Sequence, residues 1–274
     1  MFDFYFGAKE DILKDEPRFL LAVKRMLPRW INSIPDSEYL ALWDALTRFS
    51  PKERPILVET GAGASSLVLL YYALKHGGRL YTWDFVGPKG AFLRSVATDA
   101  FGALFGRALQ DHWTFVAGSS HSPLVGLPIL GELGEKVDFG FFDSEHTWEV
   151  LRGELERVSP FLKEGAVVAL DDANYDYASV NIAYANMQRR KLGLPAAPEP
   201  GGNRCRPFHE EAEAFLRSGW RDVERIPDAY KANCRNDLFF AYFQADREVM
   251  DAAAMEKLKD LEHRFDAFQV RGRR

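Results

Sequence analysis

The chain has 274 residues, 47% of them apolar, which suits one large α/β domain with additions. Its 35 basic and 40 acidic residues leave a net charge of −5, which argues against a protein held on nucleic acid by bulk electrostatics. The two cysteines, Cys205 and Cys234, lack paired-ligand spacing, so neither a disulfide framework nor a zinc site is expected, and no apolar run is long enough to span a bilayer.

Residues 1–54 read as an N-terminal helical segment. One helix runs from Pro17 to Met26. Asp36 or Ser37 can cap a second, with Tyr39, Leu42, Trp43, Leu46 and Phe49 on one face. Such a piece could pack on a sheet, cover an active site or join a partner chain. Lys24, Arg25 and Arg29 read as a solvated face. The opening MFDFYFGAKED is acidic and lacks the basic start of a signal peptide, so a cytoplasmic protein is expected.

The organising stretch is PILVETGAGASS, Pro55 to Ser66. Ile56–Val58 read as a buried strand, Glu59–Ser65 as a tight turn and Ser66–His76 as a helix stopped by Gly77-Gly78. This is the first unit of a doubly wound α/β sheet, whose ligands lie at the carboxyl ends of the strands. Gly61 and Gly63 let backbone approach a ligand closely. The turn departs from a dinucleotide fingerprint, because Ser66 stands where a third glycine belongs. Glu59 would also repel a pyrophosphate, but could suit a cationic ligand.

A second strand, Arg79 to Thr82, ends at Trp83-Asp84, 23 positions after Gly61. The two oxygens of Asp84 could accept both hydroxyls of a ribose, or Asp84 could be an ordinary turn residue. A helix over 90–109 and a strand over Trp113–Val116 follow, then Gly118-Ser119-Ser120, where Ser119 could add a hydrogen bond. His121 reads as a surface imidazole.

Val137 to Asp176 is the most informative stretch. Val137–Phe142 read as a buried strand ending in Asp143, Glu145–Pro160 as an amphipathic helix, Lys163-Glu164-Gly165 as a turn, and Ala166–Leu170 as a strand ending in Asp171-Asp172. A βαβ crossover sets the ends of these strands side by side, so three carboxylates converge. Left alone they would repel; either their pKa values rise or a cation sits between them. Hard oxygen ligands suit Mg²⁺, Mn²⁺ or Ca²⁺. His146, three residues after Asp143, could take a proton from a hydroxyl. The alternative is that Asp143 merely caps the next helix and His146 faces solvent.

Residues 173–207 read as a lid-like insertion, with Tyr175, Tyr177, Arg204 and Arg206 as candidate substrate contacts. A helix over Phe208–Ser218 and strands over Trp220–Ile226 and Asp237–Phe243 complete an α/β domain of residues 55–245. Met250, Ala254, Leu258, Leu261, Phe265 and Phe268 form the stripe of a long C-terminal helix over 246–274, which packs on the domain or pairs two subunits as a homodimer.

Glu59-x-Gly61-x-Gly63 resembles the first motif of class I S-adenosylmethionine-dependent methyltransferases. The resemblance implies a Rossmann-like sheet, mostly parallel with an antiparallel last strand, and S-adenosylmethionine held by Glu59, Gly61, Ala62, Gly63, Ser65, Asp84, Ser119 and Asp143. In that family an aspartate often stands where Ser119 does. Asp143, His146, Asp171 and Asp172, in order and spacing, resemble the metal-dependent small-molecule O-methyltransferases, within them the branch that methylates sugar hydroxyls of macrolides. That likeness implies Mg²⁺ (or Mn²⁺) on Asp143, Asp171 and Asp172, His146 as base beside Asp143, and a small hydroxylated substrate such as a sugar or catechol-like diol. Three other readings remain open: a metal-independent N- or O-methyltransferase, a nicotinamide-dependent oxidoreductase, and a non-catalytic binding protein.

Overall fold

The computed structural model describes residues 8–28, 30–120, 122, 126–174, 186, 189–196, 207–231 and 264–274. Three N-terminal helices, a short one over Lys9–Lys14, then α1 (Glu16–Arg25) and α2 (Asp36–Phe49), precede a sheet. Its elements are β1 (Ile56–Thr60), α3 (Ala64–His76), β2 (Arg79–Asp84), α4 (Gly87–Phe105), β3 (Trp113–Ala117), β4 (Val137–Phe142), α5 (Trp148–Val158), β5 (Leu162–Asp171), α6 (His209–Gly219), β6 (Trp220–Arg225) and β7 (Phe265–Arg273). The strand order is β3-β2-β1-β4-β5-β7-β6. β1 to β5 run parallel, and β7 is antiparallel to both β5 and β6. This is the expected doubly wound sheet with an antiparallel strand near its edge.

Both faces of the sheet are covered, so its strands are apolar on both sides. Leu57, Phe139, Phe141, Val167 and Ala169 face the layer built by α1 to α4. Val58, Phe142, Val168 and Leu170 face α5 and α6. Tyr39, Leu42 and Leu46 of α2 are fully buried, each worth roughly 1.5–3 kcal/mol of apolar burial. The N-terminal segment therefore packs on the sheet. Asp36 does not cap α2: its carboxylate holds Lys24 at 2.9 Å and Arg25 at 2.7 Å, pinning α1 to α2. Lys24 is buried by that pairing and is not part of a solvated face.

Two expectations need correction. Lys163–Gly165 lie inside β5, whose start is bulged against β4. Phe265 and Phe268 do not belong to a C-terminal helix; residues 265–273 are β7. The threefold spacing of the two phenylalanines mimics a helical stripe, but β7 is covered on both sheet faces, so consecutive residues can all be apolar. The remainder of that helix, the strand expected at 237–243, both cysteines, His121 and the four insertion residues Tyr175, Tyr177, Arg204 and Arg206 lie outside the described residues. No helix among the described residues is long and apolar enough to cross a membrane.

Candidate active site

The chain runs outward through β1, β2 and β3, then returns to β4 and β5 on the other side of β1. The β1/β4 junction is thus the point where strand order reverses, and a crevice opens there at the carboxyl ends. A cavity of about 380 Å³ occupies it, walled by Thr60, Gly61, Ala62, Asp84, Gly118, Asp143 and His146 among others.

The glycine turn forms one wall. Gly61 has φ +83°, and a Cβ there would lie 1.5 Å from the carbonyl oxygen of Asp143, so only glycine fits. Gly63 is different: its backbone is extended, and its tightest neighbour is the Ile31 carbonyl of the N-terminal segment at 3.1 Å. Glu59 points away from the cavity. It is fully buried beneath the turn, accepting hydrogen bonds from Ser65 (2.6 Å), Ser66 (2.6 Å) and Thr82 (2.9 Å). Burial pushes its carboxyl up to about 7, against the lowering effect of those hydrogen bonds. Glu59 and Ser65 therefore brace β1, α3 and β2 and do not line the cavity.

Asp84 stands at the end of β2, on the cavity wall. Its Oδ2 accepts from the Ala62 N–H at 2.8 Å and its Oδ1 from the Val86 N–H at 2.6 Å. Beside it, Phe85 is 79% exposed and presents an apolar ring at the mouth. In the loop after β3 the cavity is walled by Gly118 and Ser120, not by Ser119. Ser120 donates to the buried Glu154 of α5 at 2.6 Å.

At the other end, register brings the acids together. Phe142 of β4 pairs with Leu170 of β5, so Asp143 and Asp171, one residue on, are neighbours. Carboxylate oxygens of Asp143 and Asp171 and a ring nitrogen of His146 lie within 4.8 Å of one another. His146 is 3.9 Å from Asp143, 4.0 Å from Asp171 and 3.7 Å from Asp172. Asp172, the nearest of the three to His146, has a counter-charge of its own. Its φ is +55°, its N–H donates to the Arg264 carbonyl at 2.7 Å, and its carboxylate pairs with the Arg264 guanidinium at 3.1 Å.

A fourth carboxylate comes from outside the sheet. Glu38 of α2 is fully buried against Asp171. Among the described residues, neither of its oxygens accepts a hydrogen bond, and neither does Oδ1 of Asp171. Two carboxylates can face each other only with a proton or a cation between them. Burial, then the charge of Asp171, pushes Glu38 well above the ordinary carboxylate range, and the same two causes act in that order on Asp143. For Asp171, burial works upward but is outweighed by hydrogen bonds from Glu38 and Asp143 and by the charges of His146 and Arg264, so it stays low and ionised. The group that fits a divalent cation is Asp143 and Asp171 with His146, two hard carboxylate oxygens and an imidazole nitrogen, with Glu38 packed behind Asp171. Glu38 escaped the sequence reading, though a signal was there: it lies four residues before Leu42 on the apolar stripe of α2, where an acid needs a partner.

A methyltransferase-domain family model matches residues 58–173, from β1 to the acids after β5. Among solved structures, a protein from Corynebacterium glutamicum is similar at 14% identity and a TM-score of 0.52, over 93% of this chain and 90% of that one. The S-adenosylhomocysteine-bound methyltransferase PaMTH1 of Podospora anserina is similar at 14% identity and a TM-score of 0.50, over 94% of this chain and 88% of that one. At such identities these likenesses speak for a shared fold. A search of curated proteins finds no match. The family match covers the glycine turn, Asp84, Asp143, His146 and Asp171 together, so residues 58–173 are similar to a methyltransferase domain.

Proposed function

We propose that this protein transfers the methyl group of S-adenosylmethionine to a hydroxyl of a small molecule, with a divalent cation at the acid cluster. The observation that carries this reading is the meeting of Asp143, Asp171 and His146 at the cavity, where Asp143 and His146 form part of the wall. In it, Gly61 and Ala62 approach the cofactor by their backbone, Asp84 accepts its ribose hydroxyls, and Phe85 offers a face to its adenine. A Mg²⁺ or Mn²⁺ ion on Asp143 and Asp171 would supply Lewis acidity toward the acceptor hydroxyl. His146 removes the hydroxyl proton at a ring nitrogen, and the three nearby carboxylates receive the charge of the imidazolium. Asp172 carries its own counter-charge in Arg264. Holding the acceptor oxygen and methyl group in line supplies much of the remaining rate. A vicinal diol, in a sugar or a catechol, matches a site with adjacent oxygen-seeking and proton-accepting groups.

One observation favours a metal-independent version of the same transfer. Arg264 already offsets Asp172, and a proton shared among Glu38, Asp143 and Asp171 would quiet the rest. Calorimetric titration of S-adenosylmethionine, with and without Mg²⁺, into wild type and Asp143→Ala/Asp171→Ala separates the two. Cofactor binding to both proteins with a Mg²⁺ site only in wild type is the expected result. Cofactor binding with no metal site in either would favour the metal-independent version, and no cofactor binding at all would overturn both.

A further inference from the structure

The cofactor end of the cavity already contains a cation. Lys89, in the first turn of α4, sends its ammonium over the glycine turn, where Nζ donates to the Ala62 carbonyl at 3.0 Å and to Asp84 Oδ2 at 3.0 Å. Lys89 is 24% exposed and Asp84 7%, so the pair sits in the wall and not on the surface. A carboxylate offers about four acceptor positions. Three on Asp84 are taken: by the Ala62 N–H, the Val86 N–H and Lys89. A ribose diol brings two donors and finds one position. The two backbone donors are fixed by the turn, whereas the ammonium stands on a four-carbon stem beside open cavity.

We propose that Lys89 is a placeholder for the ribose: it neutralises Asp84 in the empty protein and yields its position on Oδ2 to a cofactor hydroxyl. This rests on the reading of Asp84 as the ribose acid. Cofactor binding is then an exchange of donors on one carboxylate, with no covalent change. Lys89 stabilises the empty form and, by the same amount of interaction, opposes cofactor entry. It sets the affinity from outside the reacting centre.

The test is calorimetric titration of S-adenosylhomocysteine into wild type, Lys89→Met and Asp84→Asn, with thermal melting of each empty protein. Lys89→Met should bind about tenfold more tightly, the order expected for one charge-assisted hydrogen bond no longer lost, and should melt lower when empty. A crystal of the wild-type complex should show Lys89 Nζ withdrawn from Asp84. Should Lys89→Met fail to fold, Lys89→Gln is measured for the same tightening. Binding to Lys89→Met that is weaker than or equal to wild type overturns the placeholder, because a lysine that contacts the cofactor or merely packs would give one of those results. If wild type binds and Asp84→Asn weakens it while Lys89→Met changes nothing, only the placeholder is lost. If wild type does not bind, the ribose reading of Asp84 goes with it.

Discussion

The two ends of the cavity handle their carboxylates in opposite ways. At the glycine-turn end every acid is answered from within the chain: Glu59 by three hydroxyls, Asp84 by two backbone N–H groups and an ammonium. At the β4/β5 end, among the described residues, Glu38 has no donor and Asp171 one bare oxygen, with Arg264 paired to Asp172. The first arrangement is a finished scaffold, stable without a ligand. The second is unfinished in charge, and that is costly to fold unless something outside the chain completes it. In the proposed reading, the first end supplies shape and affinity and the second the chemistry.

The contrast can be broken most forcefully at Asp171. Asp171→Ala should abolish the Mg²⁺ titration and lower turnover on the order of a thousandfold or more, while cofactor affinity stays near wild type. Equal losses in both would mean the two ends are not separable. Gly61→Ala tests the shape end: with a Cβ driven into the Asp143 carbonyl, we expect a loss of about 4 kcal/mol or failure to fold. A soluble variant melting at the wild-type temperature would show that the turn and the Asp143 loop can move apart.

Glu59 gives a pH signature to the same scaffold. Its folded value near 7 lies above the ordinary 4.5, so between those pH values the native chain holds a proton that the unfolded chain has released. Its contribution is therefore fully present below about pH 4.5 and falls as pH rises through 7, by about 3 kcal/mol in all. Denaturant midpoints of wild type and Glu59→Gln across pH 5 to 8 should diverge, with the variant lacking this part of the slope; parallel curves would mean that Glu59 titrates normally. The smallest effect is expected at Glu38. Glu38→Gln should stabilise the empty protein by roughly 1–2 kcal/mol by replacing a buried acid with a neutral amide that keeps a donor toward Asp171, and weaken Mg²⁺ by roughly 10–100-fold. A destabilised variant would mean that the shared proton already satisfies the acids.

Local pattern made much of this legible. Alternating strands and helices, the glycine turn and aspartates at strand ends follow from residue order, because side-chain periodicity and turn chemistry act over a few neighbours. The positions of Asp84, Asp143, His146 and Asp171 at one sheet edge followed from the βαβ rule, which converts sequence order into spatial order. Local pattern misjudged residues whose setting is made by distant chain. Glu59 looked like a ligand group from its place before the turn, yet hydroxyls from α3 and β2 draw it beneath. Phe265 and Phe268 looked helical until β5 and β6 paired on both sides of them.

By itself, then, the sequence determined the order of elements, the turn that needs glycine at position 61 and the meeting of Asp143 with Asp171. Only the tertiary structure decided which acids face the cavity, that α2 delivers Glu38 to them, and that Lys24, Lys89 and Arg264 each stand on a particular carboxylate. The physical reason is range. Helix, strand and turn arise between residues a few positions apart, whereas the state of a buried charge is set by whichever partners packing brings within a few ångströms, however far along the chain they lie.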